Sequence, residues 1–214
     1  MPPRAGHLRV ALPRGVGLLR GALRSRAAHR PAGALRIPHA STRLKPPPGK
    51  SQLVKPNKPV MSVQSVKQKI ESILNSTTDS NAALSAICQT LHADIPHMDW
   101  VGFYFMNDEK QQLELGPYVG EPTEHTLIPY GRGICGQVAQ TGQTLNVPDV
   151  SKSDNYLACS LKTKSEIVIP LYTTSGRLIG QLDIDSHVLN RFDPPTAEFL
   201  EEICTLISKR LYNH

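Results

Sequence analysis

The chain has 214 residues and a formal net charge of +6, from 24 Lys and Arg against 18 Asp and Glu. The charge is unevenly divided: 15 of the 24 basic residues precede the first acidic one, Glu71, which leaves 9 basic against 18 acidic residues from there on. This split argues against nucleic acid as a partner, because a nucleic-acid-binding domain needs its Lys and Arg on the folded surface, where they displace phosphate counterions; no apolar run reaches the roughly 18 residues that would span a membrane.

Residues 1–60 hold nine arginines, ten prolines and no acidic residue. That is the composition of a disordered basic leader and reads as an N-terminal transit peptide. Leu18, Leu19 and Leu23 lie between Arg20, Arg24 and Arg26 at spacings that suit a short amphipathic basic helix. A presequence of this kind directs a protein to the mitochondrion. The alternatives are a plain basic tail or an extension upstream of a start at Met61, which would leave a cytoplasmic form.

From Met61 the texture is that of a folded domain, 61–214. Val63, Val66, Ile70 and Leu74 recur at helical spacing, and Asp79 or Ser80 is placed to cap a second helix with Leu84, Ile87, Cys88 and Leu91 on one stripe. Trp100 to Phe105 reads as a strand, Gln112 to Leu115 as its neighbour across a turn at 107–109, and Leu127 to Tyr130 as a third. Gly131-Arg132-Gly133 then introduces a short helix with Ile134, Cys135, Val138 and Ala139, and Thr144 to Val147 resumes extended structure. After a long loop to about Lys164, Glu166–Tyr172 and Leu178–Asp185 form a β-hairpin around Thr174-Ser175-Gly176. A last helix starts at Pro194-Pro195 and carries Phe199, Leu200, Ile203, Leu206, Ile207 and Leu211. The expected class is α+β: one mainly antiparallel sheet with the terminal helices packed on one face.

The four cysteines, 88, 135, 159 and 204, form no CxxC pair and no Cys/His cluster at metal-ligand spacing, so a structural metal is not expected. Cys88 and Cys204 fall on apolar helical stripes and read as core. Cys135 sits at a helix start beside Arg132, where a thiolate is favoured; a small buried residue after a glycine turn explains it equally well. Cys159 lies in the polar loop, with Lys162 and Lys164 near enough in sequence to hold a thiolate. In Gln181-Leu-Asp-Ile-Asp185, alternation puts Asp183 and Asp185 on one face, and the hairpin can bring Glu166 across from them. Three carboxylates would then share a sheet face. That face is either simply solvated or opposite a cationic ligand or a proton-requiring reaction.

Trp100-Val-Gly-Phe-Tyr104, Leu115-Gly-Pro117, Ile128-Pro-Tyr-Gly-Arg-Gly-Ile-Cys-Gly136, Val147-Pro-Asp-Val150, Leu157-Ala-Cys159, Ser165-Glu-Ile-Val168 and Leu182-Asp-Ile-Asp-Ser186 closely resemble the free methionine-(R)-sulfoxide reductases, over about residues 62–212. The resemblance implies a single GAF domain that reduces free methionine-(R)-sulfoxide, without metal or organic cofactor, in the response to oxidative stress. It implies Cys159 as the cysteine that attacks sulfur, and Glu166, Asp183 and Asp185 as the carboxylates that hold the amino acid and assist proton transfer. Trp100 and Tyr104 would line the pocket, and Cys135 matches a further family cysteine. Two positions depart from the pattern: His125 stands where the family usually has its resolving cysteine, and Asn155-Tyr156 replace a common Gly-His pair. Cys135 within the chain, or thioredoxin or glutathione from outside, is then expected to regenerate Cys159. Rival readings are a non-catalytic GAF sensor of a small molecule and a redox-sensing thiol protein; a homodimer is left open.

Overall fold

The computed structural model describes residues 62–157 and 160–213. The leader expected over 1–60, Met61 and Cys159 lie outside them. Helices α1 (Val63–Ser76) and α2 (Ser80–Asp94) open the fold, followed by strands β1 (Trp100–Asn107), β2 (Gln112–Val119) and β3 (Leu127–Pro129). Next come helix α3 (Gly133–Thr141), strand β4 (Leu145–Val147), the hairpin β5 (Ser165–Tyr172) and β6 (Leu178–Ser186), and helix α4 (Pro194–Leu211). Among the described residues no helix is long and apolar enough to cross a membrane.

Each terminal helix starts on a side chain that satisfies its first free N–H groups. Ser62 accepts from Ser65 N, Asp79 from Asn81 N and Ala82 N, and Asp193 from Thr196 N ahead of Pro194-Pro195. Asp79, rather than Ser80, is thus the cap of α2. The buried stripe of α1 is Val66, Ile70 and Leu74. Val63, expected on that stripe, is 52% exposed, because the first turn runs past the edge of the surface that α1 covers.

All strand pairs are antiparallel, in the order β3-β2-β1-β6-β5-β4. Strand β2 continues four residues past its expected end at Leu115, through Gly116 and Pro117. Its outer neighbour β3 pairs only with 112–114, so Pro117 sits where no ladder partner requires an N–H. Val101, Phe103, Ile167, Ile169, Leu171, Leu182 and Ile184 point to the face covered by α1, α2 and α4.

The opposite face carries the site, and the strand order explains its cover. Strands β3 and β4 lie at opposite edges, so the segment joining them, which contains α3, must cross the sheet. It crosses on the side free of the other helices, where Ile134, Cys135, Val138 and Ala139 pack with Tyr104, Leu113, Ile128 and Val168. Strands β4 and β5 are neighbours, yet residues 148–164 connect them. A loop that long between adjacent strands is a common mark of function.

Candidate active site

Pairing fixes which residues share the site face. Asp185 lies between Trp100 and Glu166, Asp183 between Gly102 and Val168, and Gln181 between Tyr104 and Pro170. The three carboxylates expected from alternation therefore meet, and Glu166 stands directly across from Asp185. The solvated-face alternative is overturned: Glu166, Asp183 and Asp185 are 4%, 1% and 2% exposed, because α3 and the long loop roof this part of the sheet.

Among the described residues no lysine or arginine forms a salt bridge with the three. Burial raises the Glu166 carboxyl well above the usual carboxylate range, and the charges of Asp183 and Asp185 raise it further. Asp185 is raised well above that range by burial, then by Asp183 and Asp99. Asp183 is pushed up to about 7 by burial, partly offset by the Cys135 thiol, which donates to its Oδ2 at 3.2 Å. Asp183 Oδ1 and Asp185 Oδ1 are buried with no hydrogen-bond partner among the described residues. A cluster of this kind holds protons near neutrality and offers acceptors to a cationic group.

An aromatic wall stands beside the acids. Trp100 stacks between Tyr104, with ring centroids 6.2 Å apart, and Tyr118, at 5.4 Å. A Cβ on Gly102 would lie 2.3 Å from the Trp100 ring, so only glycine leaves room for the indole to lie flat on the strand. Trp100 Nε1 donates to Glu121 O at 3.2 Å, and the Tyr104 hydroxyl to His125 O at 2.9 Å.

Cys135 occupies the first turn of α3 and is 4% exposed. Of the two readings left open for it, the structure bears out the small buried residue: it packs inside the second apolar cluster, and its thiol faces Asp183 while Arg132 is exposed. Cys88 and Cys204 are buried as expected, and burial pushes their thiols up, Cys88 to about 12. Lys162, expected to hold a Cys159 thiolate, pairs with Glu121, and Cys159 itself lies outside the described residues. The Cys135 sulfur and one oxygen each of Glu166 and Asp183 lie within 4.8 Å of one another, a donor set that only folding assembles and that has the spacing to hold a metal ion.

Sequence reasoning missed Gln181 and Tyr118, and it singled out Asn155 without the contact it makes. Gln181 is buried on the site face, and neither amide atom has a partner among the described residues; it falls two residues before Asp183, so the same alternation marks it. Tyr118 was hidden by the early end assigned to β2. Asn155 reaches the turn before α3, a contact 22–24 residues away that no local pattern records.

Comparison with known proteins agrees with this geometry. The GAF domain family model matches residues 79–211. Free methionine-R-sulfoxide reductase of Escherichia coli is 33% identical over 140 residues, 65% of this chain and 82% of that protein. The chain belongs to the GAF-domain free methionine-R-sulfoxide reductases. The Saccharomyces cerevisiae enzyme of that name is 41% identical over 113 residues, 52% of this chain and 62% of that protein. The structure of free methionine-R-sulfoxide reductase from Neisseria meningitidis in complex with its substrate aligns with a TM-score of 0.66 at 38% identity, covering 70% of this chain and 87% of that one. As a member of this reductase family the chain is an oxidoreductase. His125 borders the site, since its backbone carbonyl accepts from the Tyr104 hydroxyl.

Proposed function

We propose that this protein reduces free L-methionine-(R)-S-oxide to methionine, with Cys159 as the nucleophile. The observation that carries the reading is the buried group Glu166, Asp183 and Asp185, with oxygens lacking partners, beside the Trp100 stack. Ionised members of the group pair with the α-ammonium of a free amino acid, which a methionine inside a peptide lacks. The aromatic wall takes the thioether side chain.

The Cys159 thiolate attacks the sulfoxide sulfur and the sulfur–oxygen bond breaks. A protonated carboxyl of the group supplies the proton to the departing oxygen, a role suited to acids raised towards or above neutrality. The protonated oxygen passes to the Cys159 sulfur as the transient bond between the two sulfurs breaks, which leaves methionine and a sulfenic acid on Cys159. A second thiol condenses with it, giving a disulfide and water, and further thiol restores Cys159. With His125 at the usual resolving position, that thiol is Cys135 or an external one, thioredoxin or glutathione. We further propose that residues 1–60 are a mitochondrial presequence and that a chain starting at Met61 stays in the cytoplasm.

The test is incubation of the full chain with racemic free methionine sulfoxide and excess dithiothreitol, followed by chiral amino-acid analysis. The R epimer is consumed, the S epimer persists, and a peptide-bound sulfoxide is untouched. An undiminished R epimer would sink the reading.

A further inference from the structure

Helix α3 begins without a cap of its own, since Arg132 at its N-cap makes no side-chain capping bond. The acceptor arrives from the long loop instead. Asn155 Oδ1 accepts from Gly133 N at 3.2 Å, and Asn155 Nδ2 donates to Gly131 O at 2.7 Å. A single half-buried amide thus clasps both ends of the Gly131-Arg132-Gly133 turn. Seating is close: Gly133 has φ +66°, and a Cβ there would lie 2.8 Å from Leu157 Cβ.

Chain connectivity gives this clasp its meaning. Cys159 follows Leu157 by two residues, a span of at most about 7 Å. Beyond it, Ser160 and Lys162 both reach Glu121, whose carbonyl receives the Trp100 indole. That second anchor is an exposed ion pair, and such pairs contribute little. The Asn155 amide makes two bonds from one rigid plane, and neither atom can be replaced by the other.

We propose that Asn155 is a positioning residue, which registers the Cys159 loop on the start of α3 and thereby sets the approach of the Cys159 sulfur to the carboxylate face. It touches neither substrate nor reacting atoms. The proposal rests on the reading of Cys159 as nucleophile.

The test compares Asn155→Ala and Asn155→Asp with the wild-type full chain. The aspartate keeps the acceptor for Gly133 N but turns a second acceptor towards Gly131 O, so it fails to rescue. In both variants kcat falls about 10- to 100-fold, as expected for a misplaced reacting group, while KM stays within about 2-fold because the carboxylates are untouched. The melting midpoint shifts little. Independently of activity, iodoacetamide alkylation of Cys159, followed by mass spectrometry, changes in rate by at least about 5-fold in both variants, while Cys88 and Cys204 stay protected. Unchanged kcat with unchanged Cys159 alkylation overturns the proposal, as does a fall in kcat matched by a large fall in the melting midpoint. An inactive wild-type protein whose Asn155 variants still alter Cys159 alkylation supports the clasp and defeats the functional reading alone.

Discussion

On one face of the sheet, Val101, Phe103, Ile167, Leu182 and Ile184 meet three helices and nothing polar interrupts them. On the other, strands of the same pairing bury Glu166, Gln181, Asp183 and Asp185 beneath one short helix and a loop. Both faces bury apolar side chains, but only the second also buries a group of carboxylates. Burial of those acids costs free energy, because they are forced together out of water. The difference sets an uninterrupted apolar core on one side of the sheet and the candidate site on the other.

The most drastic way to sharpen that contrast is Cys159→Ser, which is expected to reduce turnover at least about 1,000-fold and leave the unfolding midpoint almost unchanged. Steady-state kinetics beside urea unfolding would show it; substantial residual turnover breaks the assignment. On the opposite face, Phe103→Ala should cost about 3–5 kcal/mol of stability, as large-to-small changes at fully buried aromatic positions do. Activity per folded molecule should stay within about 2-fold of wild type. Selective loss of turnover in a fully folded Phe103 variant would mean that the two faces are not separable.

The third effect is smaller and depends on pH. Asp183 rises from an ordinary 3.8 to about 7, so between these values the folded chain binds more protons than the unfolded one. Stability therefore falls as pH rises through that window. Asp183→Asn removes this group's share of the slope while Cys135 keeps an acceptor, and should gain on the order of 1–3 kcal/mol over wild type near pH 8, with little gain near pH 4. Turnover should fall at both. Denaturant unfolding across that range checks it, and a wild-type stability that climbs with pH would contradict the burial of the acids.

Much of this was legible before any coordinates. Asp79 marks a helix because its side chain satisfies free N–H groups, Pro194-Pro195 mark one because proline has a helical φ and no N–H to satisfy, and alternation places Asp183 and Asp185 on one face because strand geometry leaves no choice. The end of β2 was misjudged because Gly116 and Pro117 oppose strands in general, and only the short β3 reveals that Pro117 lacks a neighbour to offend. The roof was the least legible part. Cys135 was read against Arg132, its chain neighbour, whereas its thiol meets Asp183, 48 residues on. Contacts of that span leave no periodic trace, and the same holds for Asn155 with Gly131 and for Lys162 with Glu121.

Strand β1 lies beside β6 at the centre of the sheet, and this pairing dictates when the pocket comes into being. Trp100 meets Asp185 only after the ribosome has delivered the last strand, so a nascent chain carries the aromatic wall for some time with no acid assembled beside it. Such distant pairings slow folding and hold the chemistry in reserve until the chain is nearly whole. A truncation that removes β6 loses a central strand, two of the three acids and part of the surface on which α3 rests, so shortened products of this chain keep no partial site.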